Sequence, residues 1–300
     1  MGLKRWLVAR VTAWLTHEQQ QARLELPLCD FARLSDEIRP GDVLLVEGAS
    51  RVSTIIKTLT QSPWSHAALC IGRLEEIEDP LLRERVRPYC GADNNEPLLI
   101  EPLLGEGTVV SSLAKYSDCH LRICRPGGLS DQDRQQVLAT ALTHLGGEYD
   151  FRHMFDLARF MVPVAILPRR WRSTLFNYRP CEHSKTLCST MIAEAFAAVH
   201  YPVRPVVQSE PDGRLKMYKR NPRLYTPSDF DYSPYFEIIK YPLLGGDDLA
   251  LYRQLPWDQQ GVVCNTKGDC YTPVANMSTE SRNGVVADGA PLQRNIRHKV

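Results

Sequence analysis

The chain has 300 residues, a formal net charge of +1 and nine cysteines, and 43% of its residues are hydrophobic. This length and composition are typical of a globular protein with one large domain or two small ones. The near-neutral charge argues against a nucleic-acid partner. The absence of an apolar run of roughly 20 residues argues against a membrane span.

Residues 1–30 form an N-terminal segment with the pattern of an amphipathic helix. Its apolar face includes Leu3, Leu7, Val11 and Trp14. Such a helix either packs on the domain or, with Lys4, Arg5 and Arg10, lies on an anionic membrane surface. We find no cleavable signal peptide, because Arg10 interrupts the apolar stretch. The odd cysteine count indicates reducing surroundings. The cytoplasm is therefore the default location, and membrane-peripheral association or signal-independent export are the alternatives.

Residues 31–245 contain the regular apolar patterns. Six strands are predicted at 40–48, 66–73, 97–103, 107–113, 120–125 and 237–244, and three helices at 49–64, 129–146 and 186–199. Ser130 is a good N-cap for the middle helix, and Gly146 marks its end. We read 75–96 as a charged connection. The pattern predicts an α+β fold with a mainly antiparallel sheet packed against helices. Residues 246–300 predict a flexible C-terminal tail.

Cys188 lies at the start of the last predicted helix. The partial positive charge at a helix N-terminus favours a thiolate, and the first backbone N–H groups there can stabilise an oxyanion. Two alternatives remain at this stage. Cys188 is a buried structural thiol, or it joins Cys181 and His183 in a zinc site, although the spacing is unusual and a fourth ligand is missing.

His66 and Glu101 are polar residues in otherwise apolar strands. A cysteine hydrolase needs an imidazole near its thiol and a polar group that orients the imidazole. If the two strands pair, Glu101 can accept a hydrogen bond from His66. The alternatives are a structural histidine and a glutamate that faces water from an edge strand.

Five short motifs, taken in their order along the chain, resemble the circularly permuted branch of the NlpC superfamily of papain-like cysteine hydrolases, in particular the YiiX/YebB-like group. They are Gly41-Asp42, Ser65-His66, Glu101, Tyr149-Asp150 and Cys188-Ser189. The resemblance covers about residues 38–240, and it implies a permuted papain-like fold in which the histidine precedes the cysteine. The long segment between Asp150 and Cys188 and the tail beyond 250 depart from the family pattern.

The resemblance implies that Cys188 is the nucleophile, His66 the general base and Glu101 the orienting residue. We assign Ser189 and Ser65 to oxyanion stabilisation and support. We place Trp64, Tyr149 and Asp150 at the substrate pocket. No metal and no cofactor are predicted.

The favoured function is a hydrolase or acyltransferase that forms a thioester acyl-enzyme on an ester or amide of a lipid. Residues 3–15 and 160–172, which combine apolar and basic side chains, favour the lipid and predict peripheral membrane contact. Peptidoglycan or peptide amidase activity is the alternative, and a non-catalytic binding module is the alternative of another class. Delivery as a secreted toxin is compatible with the same chemistry, and the sequence leaves the oligomeric state open.

Overall fold

The computed structural model describes residues 10, 12–17, 29–90, 95–147, 188–244, 253, 255–257, 262–266 and 269–272. The chain divides into two compact units, Met1–Leu244 and Gly245–Val300. In the described part of the chain, no helix is both long enough and apolar enough to cross a bilayer.

The first unit is built around a six-stranded sheet. The strands of the unit are β1 (Val43–Glu47), β2 (His66–Gly72), β3 (Leu98–Leu103), β4 (Gly107–Ser112), β5 (His120–Pro126), β6 (Val206–Ser209), β7 (Leu215–Tyr218) and β8 (Phe236–Ile239). The strand order in the sheet is β4-β3-β2-β1-β5-β8, and every neighbouring pair is antiparallel. Strands β6 and β7 form a separate hairpin. The predicted α+β fold with a central antiparallel sheet is confirmed.

Beyond residue 30, six α-helices accompany these strands in the described residues. They are α1 (Phe31–Glu37), α2 (Arg51–Thr60), α3 (Pro80–Val86), α4 (Asp131–Thr143), α5 (Cys188–Ala198) and α6 (Ser228–Asp231). Helix α4 begins as predicted, because the Ser130 side chain accepts a hydrogen bond from the Asp133 backbone N–H. It is followed by Gly146, which has a φ of +80°.

Both faces of the sheet are buried at its centre, so strands β1, β2 and β3 are mostly apolar on both faces. In β1, Val43 and Leu45 face one core with helices α4 and α5, and Leu44 and Val46 face a second core. The second core also includes residues of α1 and of the short 3₁₀ helix Leu113–Tyr116. Helix α5 therefore packs on one side of the sheet, where Met191, Ile192, Ala195 and Phe196 are fully buried.

The charged connection at 75–96 contains helix α3, which the sequence pattern did not predict. Its N-cap is Asp79, whose side chain accepts hydrogen bonds from the N–H groups of Leu81 and Leu82, and Pro80 occupies its first turn. Val86 is its buried residue. A helix held by capping, with so little apolar surface, gives a weak periodic signal.

Part of the N-terminal segment packs on the domain. Residues 12–16 are helical, and Leu15 is fully buried with Ile55 of α2. The Arg51 guanidinium lies 4.9 Å from the centre of the Trp14 ring, and Trp14 is 47% exposed. These residues form a short helix within the predicted N-terminal segment. Residues 3–9 lie outside the described part.

The second unit contains a hairpin of β9 (Val263–Thr266) and β10 (Asp269–Tyr271). A disulfide joins Cys264 and Cys270 across it. The sequence predicts reduced cysteines. Cys264 and Cys270 instead form a disulfide, because the hairpin brings the two residues opposite each other. Six described cysteines are not disulfide-bonded, and all lie in the first unit, at positions 29, 70, 90, 119, 124 and 188.

Candidate active site

His66 and Glu101 come together because β2 and β3 are neighbours in the sheet. Leu69 pairs with Ile100 and Cys70 pairs with Leu99, so the strands run past each other with both polar residues on the same face. His66 Nε2 lies 2.5 Å from Glu101 Oε2. The His66 side chain is 19% exposed and the Glu101 side chain is fully buried. The expected contact between the imidazole and the carboxylate is present.

Glu101 is surrounded by hydrogen-bond donors. Among the described residues, its Oε2 accepts from His66 and from the Tyr116 hydroxyl, and its Oε1 accepts from the Ser111 hydroxyl and from Lys115 Nζ at 3.0 Å. An ionised carboxylate is a pure acceptor, so four donors suit the charged form. Burial raises the pKa of Glu101, but the hydrogen bond and charge of His66, together with Lys115, outweigh burial and lower the pKa below its usual range.

Cys188 is the first residue of α5 and lies against the start of β2. Its sulfur is hydrogen-bonded to the His66 side chain and receives the backbone N–H groups of Ala67 and Ser189. Because Nε2 of His66 faces Glu101, Nδ1 is the ring nitrogen available to the thiol. The nucleophile candidate, the imidazole and the carboxylate thus form a continuous chain of contacts.

The pKa directions of the thiol and the imidazole match an ion pair. Burial raises the pKa of Cys188, but the charge of His66 and its hydrogen bond, helped by the Ala67 and Ser189 N–H groups, lower it overall. Burial lowers the pKa of His66, but the charge and hydrogen bonds of Cys188 and Glu101 raise it overall. A thiolate beside an imidazolium is the reactive form of a catalytic cysteine.

Ser189 and Ser65 hold the backbone on either side of the site. The Ser189 hydroxyl donates to the Tyr225 carbonyl at 2.6 Å, and its own N–H faces the sulfur of Cys188. The Ser65 hydroxyl accepts from the Gly48 N–H at 2.9 Å and donates to the Val46 carbonyl. Both side chains are buried. Both hydroxyl groups are therefore hydrogen-bonded to backbone groups, which suits a role in holding the site together.

Trp64 is placed in the core, and the prediction that it lines a substrate pocket finds no support. It is 1% exposed. His120 stacks on the indole at 5.6 Å, and the Arg122 guanidinium lies 4.7 Å from the ring centre. Its Nε1–H donates to Asp231 at 3.2 Å. A ring with these partners packs the protein and leaves no free face for a ligand.

Several residues singled out in the sequence lie outside the described part of the chain. They are Tyr149, Asp150, Cys181, His183 and the segment 160–172. Among the described residues, no group of three or more histidine, cysteine or acidic side chains could hold a metal ion.

The sequence patterns did not indicate Ser111, Lys115 or Tyr116 as site residues. All three come from the end of β4 and the 3₁₀ helix that follows it. Ser111 pairs with Leu99 of β3, which puts it on the same face as Glu101 and diagonal to it. Pairing the predicted strands 97–103 and 107–113 would have indicated Ser111. The 3₁₀ turn that directs Lys115 and Tyr116 towards Glu101 has no recognisable sequence pattern.

The sequence was compared with protein families, with curated proteins and with solved structures. Residues 37–160 match the model of a family described as permuted papain-like amidase enzymes, YaeF/YiiX, C92 family. A crystal structure of the metalloprotein YiiX from Escherichia coli O157:H7 is also similar, with 13% sequence identity and a TM-score of 0.41, covering 68% of this chain and 97% of that chain. No curated protein matches the sequence.

The match to this family model confirms the predicted resemblance to the permuted papain-like, YiiX-like group. The family match supports a cysteine hydrolase of the amidase type. It includes His66 and Glu101 and ends before Cys188.

Proposed function

We propose that the protein is a cysteine-dependent hydrolase that cleaves an amide or ester bond through a thioester acyl-enzyme. The observation that carries the proposal is the chain of contacts from Cys188 through His66 to Glu101, with the thiol at the first turn of α5. A thiol that is merely structural would need neither a buried carboxylate behind its histidine nor a lowered pKa.

The reaction follows from the positions of these groups. The Cys188 thiolate attacks the substrate carbonyl carbon, and a carbon–sulfur bond forms. Backbone N–H groups at the start of α5 are suited to stabilise the oxyanion. The His66 imidazolium then gives its proton to the leaving amine or alkoxide as the bond to the acyl carbon breaks. Neutral His66 next takes a proton from water, which hydrolyses the thioester and releases the acid.

Glu101 keeps the imidazole in position during both halves of the reaction. Its Oε2 holds Nε2 of His66, so Nδ1 stays directed to the thiol and the leaving group. The carboxylate also stabilises the imidazolium while Cys188 is a thiolate. This is the role of the third residue in a triad, which orients the base and does not itself take a proton.

For the substrate, the amidase description of the matching family favours an amide bond, as in a peptide or peptidoglycan stem. A lipid ester or amide is the second candidate. It is favoured by Trp14, which is 47% exposed with Arg51 against its ring, a pairing suited to a membrane interface. The burial of Leu15 takes part of the N-terminal apolar face away from any membrane, which weakens the lipid candidate.

One experiment tests both the chemistry and the substrate. Purified protein is incubated separately with peptidoglycan fragments and with mixed phospholipid vesicles, and the products are weighed by mass spectrometry beside Cys188→Ala. We expect new products only with an intact Cys188, together with an acyl adduct on Cys188 in rapidly quenched samples. Peptide cleavage without fatty-acid release assigns the amide substrate, and the reverse assigns the lipid.

A parallel labelling experiment separates an enzyme from a binding module. Iodoacetamide is added near neutral pH, and the modified peptides are quantified. We expect Cys188 to react faster than Cys90 and Cys119, which are also outside a disulfide and partly exposed. Absence of products together with equal labelling of the three thiols would overturn the proposed function.

A further inference from the structure

Lys115 is the cation that neutralises Glu101 independently of His66. Its Nζ lies 3.0 Å from Glu101 Oε1, the oxygen opposite the one that holds His66. The Lys115 side chain is 40% exposed, whereas Glu101 is fully buried. The ammonium therefore approaches the carboxylate from the solvent side and remains hydrated while it pairs with a buried charge.

The charges around the site balance when Lys115 is counted. Cys188 and Glu101 carry negative charges in the reactive form, and His66 and Lys115 carry positive ones. Tyr116 stays a neutral donor, since burial and the neighbouring Glu101 raise the pKa of its hydroxyl. Cys119 is a further titratable group that acts on Tyr116. Without Lys115, this buried cluster would hold two negative charges against one positive charge.

The balance changes during the reaction proposed above. When His66 gives its proton to the leaving group it becomes neutral, and Glu101 loses one of its two cationic partners. Lys115 is then the remaining cation beside the buried carboxylate, and it disfavours transfer of a proton to Glu101. The Ser111 hydroxyl shares Oε1 with Lys115 and supplies a hydrogen bond without charge.

We propose that Lys115 is a positioning residue that keeps Glu101 ionised and thereby maintains the reactive thiolate of Cys188. The proposal deepens the proposed function, since it assigns a control of that same site. Removing the Lys115 ammonium should disfavour the Cys188 thiolate. The substitution leaves either an uncompensated negative charge on Glu101 or a protonated Glu101, and both results disfavour a second negative charge on Cys188.

The test measures Cys188 reactivity against pH and needs no substrate. Iodoacetamide labelling of wild type, Lys115→Met, Lys115→Arg and Ser111→Ala is followed from about pH 4 to pH 10, with peptide-resolved mass spectrometry separating Cys188 from the other thiols. We expect Lys115→Met to move the acid limb of the profile up by about one pH unit, which lowers labelling roughly tenfold on that limb. Lys115→Arg keeps the charge and should restore the wild-type profile.

Ser111→Ala is the matched control for loss of a neutral contact at the same oxygen. It should shift the profile less than Lys115→Met. Thermal denaturation checks that each variant is folded, and Lys115→Gln replaces Lys115→Met if the latter is not. A profile for Lys115→Met that coincides with wild type, or an equal shift in Lys115→Arg, overturns the proposal.

The outcomes also separate this inference from the proposed function. Labelling reports the thiolate whether or not a substrate is turned over. A shift in Lys115→Met supports the role of Lys115 even if no product forms and the three thiols label equally, the result that overturns the proposed function. Products that depend on Cys188, with no shift in Lys115→Met, support the proposed function and overturn the role of Lys115.

Discussion

Glu101 and Asp42 are two buried carboxylates near opposite ends of β2. Glu101 contacts His66, the first residue of the strand, while the Asp42 carbonyl accepts the N–H of Cys70 near its last residue. The side chain of Glu101 is fully buried and that of Asp42 is 2% exposed. The two carboxylates are therefore alike in burial.

Their partners differ in chemistry. Asp42 is held by the Arg125 guanidinium, at 2.8 Å from Nη2 and 3.0 Å from Nε, and by the Arg39 N–H at 2.9 Å. A guanidinium stays protonated throughout the usual pH range, so this pair moves no proton. Glu101 is paired with an imidazole, which can give up and regain a proton and which contacts a thiol.

The difference separates the proposed catalytic carboxylate, Glu101, from Asp42, which holds the framework. Depth of burial does not separate Glu101 from Asp42, and neither does the presence of a cation. What separates them is whether the partner can change its charge and pass that change to a reactive atom. Arg125 also donates to the Glu37 carbonyl, which ties Asp42 to the end of α1 and to the framework of the sheet.

The largest expected effect is on catalysis at the Glu101 end. Replacing His66 by alanine removes the proton donor, and we expect hydrolysis of a p-nitrophenyl ester to fall by roughly 10²–10⁴-fold. Steady-state kinetics measure the change, with Asp42→Asn as the matched control at the other end of β2. A loss of the same size in folded Asp42→Asn would contradict the distinction between the two carboxylates.

The next effect is on stability at the Asp42 end. Asp42→Ala leaves Arg125, which is 18% exposed, without its counter-ion, so we expect the free energy of unfolding to fall by about 3–5 kcal/mol. Urea denaturation followed by circular dichroism measures the loss. His66→Ala should be closer to wild type, because it removes a partly exposed side chain. A larger loss in His66→Ala than in Asp42→Ala would show that the active-site network is the main structural support.

The smallest effect is a difference in acid sensitivity. The pKa of Glu101 is lowered in the folded protein, so its contribution to stability is present above its ordinary value of 4.5 and is lost as the pH falls through the lower folded value. The stability advantage of wild type over Glu101→Gln should therefore shrink on acidification below about pH 4.5.

Asp42 supplies the contrast for this measurement. Burial raises the pKa of Asp42 more than Arg125 and the Arg39 N–H lower it, so its shift has the opposite sign. The advantage of wild type over Asp42→Asn should not shrink over the same acid range. Denaturation midpoints measured at several pH values check both statements, and parallel curves for the two variants would contradict them.

The regular elements of the site could be predicted from local patterns. Cys188 precedes apolar residues at helical spacing, and His66 and Glu101 interrupt apolar strands, so each was visible as an unusual residue in its element. Their contact depended on the pairing of β2 with β3, which the sequence analysis could state only as a condition. That pairing includes an irregularity between Cys70 and Gly72, which no local pattern reveals.

Trp64 shows where local pattern was insufficient. The sequence analysis placed it at the substrate pocket. The structure buries it between His120 and Arg122, because β5 brings both side chains onto the indole. Which face of a residue meets solvent depends on partners that are distant in sequence, and here the partners came from β5.

By itself the sequence determined the α+β class, the helix that begins at Cys188 and the strands that carry His66 and Glu101. These features follow from periodicity and capping, which act over a few neighbouring residues. The tertiary structure alone decided that Ser111, Lys115 and Tyr116 gather around Glu101. A buried carboxylate requires partners, but strand register and the 3₁₀ turn choose which side chains reach it.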